Sequence, residues 1–153
     1  MPKPTPPEPE PPLPFFVYGT LRPGERNHDA HFRGRLAAAE PALLGGAVLY
    51  EGPGYPCLVE TGDDRRVHGE LLTPLPAHYA AVLRDLDVLE HCVPGDPGNL
   101  YDRVPRETLR PDGSRVRAWV YVIAERLAGP LRSGGTLVAE GDWRGRGRTS
   151  DTP

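Results

Sequence analysis

A ten-residue stretch near the amino terminus, residues 15–24, reads FFVYGTLRPG. Its first four residues are aromatic or β-branched, which favours a buried β-strand, and Gly19 then interrupts the strand. Glycine lets the backbone turn and lets a ligand approach the main chain, Thr20 adds a hydroxyl, and Pro23-Gly24 forms a turn. The pattern is typical of a strand end whose backbone N–H groups face a small anion such as a carboxylate. An ordinary strand followed by a turn has the same pattern.

The overall composition predicts one domain with many turns. The chain has 153 residues, of which 38% are hydrophobic and 25% charged, so a compact core is expected. The 18 glycines and 20 prolines predict short helices and strands. A formal net charge of −3 gives no basic field for nucleic acid, and the sequence has neither an apolar run that spans a membrane nor a secretory pattern. We therefore expect a cytoplasmic protein that binds neither nucleic acid nor membrane.

The two ends differ in composition from the middle of the chain. Residues 1–14 contain eight prolines among Glu, Thr and Lys, and residues 144–153 are rich in Gly, Arg and Thr without an apolar side chain. Such segments cannot bury a core. We predict disordered tails over residues 1–12 and 144–153, and one folded domain over residues 13–143.

Short apolar segments separated by turn residues predict about six or seven strands in this domain. The expected strands cover residues 15–18, 36–50 in two pieces with a bend, 55–60, 67–73, 101–109 and 115–124. Gly62-Asp63-Asp64 is expected to form a hairpin turn. With one or two flanking helices, the sequence predicts an α+β domain built on a small curled sheet or a closed, mixed β-barrel.

The one clear helix begins at Pro74 and Pro76 and ends near Glu90, before a loop rich in proline and glycine. Its apolar side chains recur at steps of three and four residues and should face a core. These side chains belong to Leu75, Tyr79, Val82, Leu86 and Leu89.

Glu90 continues the apolar stripe, since it lies four residues after Leu86. Burial and the negative end of the helix dipole should both raise its pKa, which suits general acid–base catalysis near neutral pH. An exposed side chain, or an ion pair with an arginine such as Arg103, is the competing interpretation. Asp87 and Glu70 are the next candidate carboxylates.

The other reactive side chains have simpler interpretations. His28 and His31 lie three residues apart on a predicted short helix over residues 27–32. No further ligands follow at metal-type spacing, so we expect solvent-facing histidines and no metal. Cys57 and Cys92 are interpreted as two free thiols. No phosphate-binding loop or nucleophile elbow is present, so no cofactor is expected.

Seven short motifs follow one another in order through the predicted domain. They are Tyr18-Gly19-Thr20-Leu21, Tyr55-Pro56, Val67-His68-Gly69-Glu70-Leu71, Leu86-Asp87-Val88-Leu89-Glu90, Tyr101-Asp102-Arg103, Ala118-Trp119-Val120-Tyr121 and Gly141-Asp142-Trp143. Each is weak alone, but the ordered set resembles the γ-glutamylcyclotransferase-like family from about Phe15 to Trp143. The resemblance implies a small barrel with helices outside and a cavity in its mouth.

The resemblance also implies an activity, which is cyclisation of a γ-glutamyl amide to 5-oxoproline with release of the amine, without a metal or other cofactor. In that family the Tyr-Gly-Thr-Leu loop binds the γ-glutamyl group, which corresponds to Tyr18, Gly19, Thr20 and Leu21 here. The glutamate after Leu-Asp-x-x is the catalytic acid–base, which corresponds to Glu90. Two further substrate-binding residues are expected from the other motifs, Tyr55 and Tyr101.

One position departs from the family pattern. Family members often carry glycine directly after the catalytic glutamate, whereas this chain has His91. An imidazole at that position is expected to narrow the pocket or to perturb the pKa of Glu90. The following loop, residues 92–100, is long and rich in proline and glycine, and is expected to shape access to the pocket.

Two other functions fit the same sequence. The cavity could hold an acidic or amino-acid-like ligand without catalysis, or the proline-rich tail could recruit another protein. A search for 5-oxoproline after incubation with several γ-glutamyl amines tests the first alternative, and deletion of the tail tests the second. The sequence leaves the leaving amine and the oligomeric state open.

The composition of the tails gives a first prediction. Deleting residues 1–12 and 145–153 should leave the melting temperature nearly unchanged, because segments of this composition contribute little to a core. Differential scanning calorimetry of the full-length and shortened chains measures the effect. A large drop would show that one of the tails packs on the domain.

Overall fold

A computed structural model describes residues 12–25, 27–52 and 54–143 of the chain. Apart from Pro12, the tails predicted over residues 1–12 and 144–153 lie outside these described residues. Short 3-10 helices occur at Pro76–His78 and Ala139–Gly141. The strands and α-helices are, in chain order, β1 (Phe15–Val17), α1 (His28–Phe32), β2 (Leu36–Gly45), β3 (Ala47–Glu51), β4 (Pro56–Glu60), β5 (Arg66–Pro74), α2 (Tyr79–Leu89), β6 (Tyr101–Leu109), β7 (Arg115–Ile123) and α3 (Glu125–Gly134).

Five strands of the described chain form a closed barrel in the order β1–β5–β2–β6–β7. Its neighbouring strands are antiparallel except β1 and β7, which pair in parallel at Phe15 and Trp119. The backbone N–H of Trp119 also donates to the carbonyl oxygen of Pro14 at 2.9 Å. The remaining strands, β3 and β4, form a separate two-stranded sheet. The predicted α+β fold with a small mixed barrel is confirmed, with the strands divided between the barrel and this hairpin.

The turn at residues 62–64 does not form the predicted hairpin. β4 pairs with β3, whereas β5 pairs with β1 and β2, so this turn leads the chain from the small sheet into the barrel. The carboxylate of Asp63 accepts the backbone N–H of Arg65 at 3.0 Å and holds the turn locally. Turn residues therefore predicted the change of direction correctly, but they do not determine which strands pair beyond it.

The predicted helix is confirmed as α2, with Val82 and Leu86 fully buried on its inner side. Its start is later than expected, because Pro76–His78 forms a 3-10 turn and Leu75 lies outside the helix with 37% of its surface exposed. The sequence did not predict α3, because Gly129 and Pro130 inside it are typical of helix ends. Tertiary packing overrides that local signal, since Ala128 of α3 packs against the β3–β4 sheet.

Alternate residues of β1 belong to two different cores. Phe16 and Tyr18 pack inside the barrel with Leu71 of β5, whereas Phe15 and Val17 pack on the other face under the helices. Both phenylalanines are only 1% exposed. This short strand therefore joins the barrel interior to the layer that carries α2. Within the described residues, no helix is both long and apolar enough to cross a membrane.

Gly69 of β5 lies where β1 crosses closely, and this contact gives a prediction about stability. A Cβ atom at this position would overlap the carbonyl oxygen of Val17 and come within 2.7 Å of the Phe16 ring. We expect Gly69→Ala to lower the free energy of unfolding by about 3 kcal/mol, because β1 must move away from β5. Urea denaturation monitored by circular dichroism measures the loss.

Gly45→Ala is the matched control for this substitution. Gly45 is also a strand glycine, but a Cβ atom there meets nothing within 4 Å. Its effect should stay within about 0.5 kcal/mol. Equal losses in the two variants would show that overlap with β1 does not determine the cost at Gly69.

Candidate active site

A cavity of about 250 Å³ opens at the end of β1. Its walls come from β1 and the loop that follows it, the start of β4, the end of α2, and β6 and β7. All the site residues predicted from the sequence line it, namely Tyr18, Gly19, Thr20, Leu21, Tyr55, Glu90 and Tyr101. The fold therefore brings together residues that are widely separated in the chain.

The loop after β1 has its carbonyl oxygens occupied. The Gly19 oxygen accepts the backbone N–H of Arg22 at 3.0 Å, and the Thr20 oxygen accepts that of Asn27 at 2.9 Å. The Leu21 oxygen accepts the ring Nδ1–H of His28 at 2.9 Å, which fixes the tautomer of that histidine. Each carbonyl thus has its partner within residues 22–28, which run from the loop to the first residue of α1.

Three backbone N–H groups of the same loop, unlike its carbonyl groups, make no hydrogen bonds within the described residues. In the ranges 12–25, 27–52 and 54–143, the N–H groups of Gly19, Thr20 and Leu21 donate no hydrogen bond. Three adjacent donors on the wall of a cavity form a site suited to a carboxylate or to a developing oxyanion.

The predicted sharp turn does not explain why residue 19 is glycine. Its φ is not in the left-handed region; the residue of this loop with positive φ is Gly24, at 88°. A Cβ atom on Gly19 would instead lie 2.8 Å from the ring of Pro56 at the start of β4. Gly19 is therefore required by the close approach of the loop to Pro56, which lines the same cavity.

Glu90 is half-buried directly after the last residue of α2, where its carboxyl faces the cavity. Removal from water raises the pKa of this carboxyl from 4.5 to about 7. The competing interpretation, in which Glu90 pairs with Arg103, does not hold, because Arg103 donates to both oxygens of Asp87, at 2.8 and 3.2 Å. No side chain in the described ranges forms an ion pair or hydrogen bond with the carboxyl of Glu90.

Three of the four tyrosines that line the cavity are buried, and their hydroxyl groups donate to groups other than Glu90. Tyr18 donates to the carbonyl oxygen of Tyr121 at 2.6 Å, and Tyr101 to that of Pro56 at 3.1 Å. Tyr121 donates to the carboxylate of Asp87 at 2.6 Å. Burial raises the pKa of all three hydroxyls, so they remain protonated and fixed in these bonds. The Glu90 carboxylate consequently receives no compensating hydrogen bond from them, which leaves desolvation as the dominant effect on its pKa.

The two competing carboxylates each accept hydrogen bonds from an arginine. Asp87 accepts from Arg103 and Tyr121, and Glu70 accepts from Nε and Nη2 of Arg22 at 2.7 and 3.1 Å. Neither of them lines the cavity. Glu70 and Asp87 therefore differ from Glu90 in that each is paired with an arginine that the fold brings close to it.

The similarity to known proteins covers the same strands and helices. A family profile described as "Gamma-glutamyl cyclotransferase, AIG2-like" matches residues 15–145, from β1 to just beyond the last described residue. The chain belongs to this family. The match covers the cavity residues and every strand and helix described above.

Two curated relatives of this AIG2-like chain are similar over most of its length. It is 37% identical over 131 residues to a "Putative gamma-glutamylcyclotransferase" of Vibrio cholerae, covering 84% of this chain and 92% of that protein. It is 33% identical over 109 residues to "Gamma-L-glutamyl-butirosin B gamma-glutamyl cyclotransferase" of Niallia circulans. That match covers 71% of this chain and 65% of the relative, so it spans slightly less than two thirds of that protein.

Solved structures have the same fold. An AIG2-like protein of Mus musculus superposes with a TM-score of 0.65 at 21% identity, covering 89% of this chain and 90% of that one. At this level of identity, the likeness concerns the fold.

His91, which replaces the glycine often found in the family, has a left-handed backbone with φ of 54°. Its N–H donates to the carbonyl of Val88 at 3.2 Å, and the N–H of Cys92 donates to that of Asp87 at 2.8 Å. These two bonds form a Schellman motif at the end of α2, in which glycine is favoured because a side chain costs about 1 kcal/mol or more. His91 also lines the cavity beside Glu90, as expected from its position in the sequence.

Several features of this region were missed or wrongly assigned from the sequence. Asn27 and Tyr121 line the cavity, and nothing in their local sequence signals it. His28 and His31 are half-buried rather than solvent-facing, since His28 stacks on Phe32 with 5.5 Å between ring centroids. Within the described residues, no group of three or more His, Cys, Asp or Glu side chains is placed to hold a metal ion. Both cysteines are free thiols, as predicted.

The raised pKa of Glu90 makes stability depend on pH. Between pH 4.5 and about 7 the folded state holds a proton on Glu90 that the unfolded chain releases, so stability falls as pH rises through this window. Over the whole window the loss is on the order of 3 kcal/mol. Glu90→Gln removes this loss, so the variant should gain stability relative to the native protein between pH 4.5 and 8. Urea denaturation at both pH values measures the difference.

Glu107→Gln provides the matched control, since the side chain of Glu107 is 61% exposed on the surface of the barrel. The difference between this variant and the native protein should be nearly the same at both pH values. If Glu90→Gln showed an equally flat difference, the carboxyl of Glu90 would be solvated in the folded state.

Proposed function

We propose that this protein cyclises γ-glutamyl amides to 5-oxoproline, with Glu90 as the acid–base that moves the protons. One observation carries the proposal: a carboxyl with a pKa of about 7 shares a cavity with three backbone N–H groups that have no acceptor in the described chain. The first feature suits proton transfer near neutral pH, and the second suits recognition of a carboxylate or an oxyanion. Membership of the γ-glutamyl cyclotransferase family supports the same reaction.

The reaction begins with the α-ammonium group of the substrate, which is not nucleophilic. The Glu90 carboxylate accepts one proton from it, and the freed amine attacks the γ-carbonyl carbon to form a five-membered ring. The C–N bond of the amide then breaks, and the leaving nitrogen receives the proton from Glu90. The ring nitrogen loses its remaining extra proton to solvent, which leaves 5-oxoproline and the free amine. Glu90 must start as a carboxylate, so kcat/KM should decrease as pH falls below about 7.

The loop after β1 supplies the binding half of the mechanism. The N–H groups of Gly19, Thr20 and Leu21 would hold the α-carboxylate of the substrate or the oxyanion formed at the γ-carbonyl. Because the attack is intramolecular, the main tasks of the protein are to hold the bent conformer and to transfer protons. The rings of Tyr18, Tyr101 and Tyr121 exclude water from this part of the cavity.

The test compares Glu90→Gln with the native protein on a panel of γ-glutamyl amides. The panel includes γ-glutamyl amino acids, γ-glutamyl-ε-lysine, glutathione and γ-L-glutamyl-butirosin B, the compound in the printed name of one relative. Glutamine keeps the shape of the side chain but cannot accept the ammonium proton, so 5-oxoproline release should fall by about 10²- to 10⁴-fold. Isothermal titration with 5-oxoproline should show that binding is retained, because the loop at Gly19 carries it.

Asp87→Asn and Glu70→Gln are the matched controls, since each removes a nearby carboxylate that does not line the cavity. Both variants should lower kcat much less than Glu90→Gln, although either can lower stability and Glu70→Gln, which loses a partner of Arg22, can raise KM. The assignment of Glu90 is wrong if its variant keeps native turnover while a folded control loses it. If the native protein cyclises nothing in the panel but binds 5-oxoproline, the cavity serves a non-catalytic binding function.

A further inference from the structure

Arg22 belongs to the loop at the end of β1, but it does not line the cavity. Its side chain is almost completely buried, with 2% of the residue exposed, and it makes four hydrogen bonds. Nε and Nη2 donate to the two carboxylate oxygens of Glu70 on β5, at 2.7 and 3.1 Å. Nη1 donates both to the carboxylate of Asp142 and to the carbonyl oxygen of Trp143, each at 2.8 Å. One guanidinium group therefore joins the loop to the barrel wall and to the last described residues.

Residues 140–143 pack closely against the barrel. Glu140 and Gly141 both have left-handed backbones, with φ of 59° and 65°. A Cβ atom on Gly141 would overlap the carbonyl oxygen of Arg66, so this turn is packed directly against β5. Trp143 is 1% exposed and belongs to the core inside the barrel. The backbone at Asp142 is thus held by packing that does not involve the loop.

The backbone of Arg22 is part of the loop that presents the free N–H groups. Its N–H donates to the carbonyl of Gly19 at 3.0 Å, and its own carbonyl accepts the N–H of Glu25 at 2.8 Å. A shift of Arg22 would therefore move Gly19, and with it the donors at Thr20 and Leu21. The distances on both sides of the guanidinium are short, so the loop has little freedom while all four bonds are made.

We propose that Arg22 is a positioning residue for ligand binding, which holds the N–H groups of Gly19–Leu21 in place by linking them to Glu70 and to Asp142–Trp143. The inference rests on the proposed function only in assigning the ligand to this loop. The planar guanidinium group is required, because its three nitrogens together reach four acceptor oxygens. Lysine would keep the charge but could not reach Glu70 and the Asp142–Trp143 pair in the same geometry.

The test uses the full chain with Arg22→Lys, and Arg110→Lys as the matched control. Arg110 also makes a two-pronged pair with a glutamate, Glu40, at 2.9 and 3.3 Å, but it lies at the surface, far along the chain from the loop. We expect Arg22→Lys to raise KM and the dissociation constant of 5-oxoproline by about tenfold to a hundredfold, since small misplacements of binding groups have effects of this size. The kcat value and the acid limb of the pH profile, which depend on Glu90, should change much less.

A second readout does not depend on catalysis or on the ligand. In Arg22→Lys, hydrogen exchange measured by mass spectrometry should be faster in peptides that cover residues 18–25, but not in peptides from α2. Asp142→Asn weakens one arm only and should shift binding and exchange in the same direction by a smaller amount. This variant tests the inference if Arg22→Lys does not fold.

The outcomes separate this inference from the proposed function. If the native protein cyclises no γ-glutamyl amide, the proposed function fails, while exchange in the loop still tests Arg22. If Arg22→Lys or Asp142→Asn folds with unchanged ligand affinity and unchanged loop exchange, Arg22 has no positioning role. A fall in melting temperature and kcat with an unchanged KM would also overturn the inference, because it would indicate a purely structural role.

Discussion

The pairing of β1 on both of its edges is the constraint on which the rest of the structure depends. The strand has only three residues, Phe15–Val17, yet it pairs with β5 on one edge and with β7 on the other, and so closes the barrel. Its side chains alternate between two cores, which fixes its register and rotation. The loop that follows can depart from the barrel in only one direction. The position of the cavity is therefore a consequence of how the barrel closes.

The carboxyl of Glu90 is unfavourable for the fold in its charged form. It is withdrawn from water, and the neighbouring tyrosine hydroxyls donate to other acceptors, so its ionised state lacks compensation. By contrast, the two carboxylates that compete with it for the catalytic role are paired with arginines, Asp87 with Arg103 and Glu70 with Arg22. A site of this kind uses some of the stability supplied by well-packed regions to keep one group reactive.

The sequence predicted those parts of the fold that local patterns determine. Alternating and helical periodicity placed α2 and the β6–β7 hairpin within a few residues, and the apolar stripe pointed to Glu90. Local patterns failed where long-range packing decides. Residues 62–64 have the composition of a hairpin turn, but they join two different sheets. Helix α3 forms in spite of Gly129 and Pro130, and its Ala128 packs on the β3–β4 sheet. The contacts of Arg22 could not be predicted from local patterns, because its partners Glu70 and Asp142 are distant in the chain.

The parallel pairing of β1 with β7 also determines when the cavity can form during folding. The hydroxyl of Tyr18 meets its acceptor, Tyr121, across 103 positions of the chain, and Arg22 meets Trp143 across 121. A chain growing from its amino terminus can form the β2–β5 ladder and α2 early, but β1 must wait for β7 before the barrel closes. Contacts of such long range carry a large loop-closure entropy and slow the folding of small domains. The pocket is therefore among the last features to appear, and in an incomplete chain one edge of β1 stays unpaired until β7 arrives.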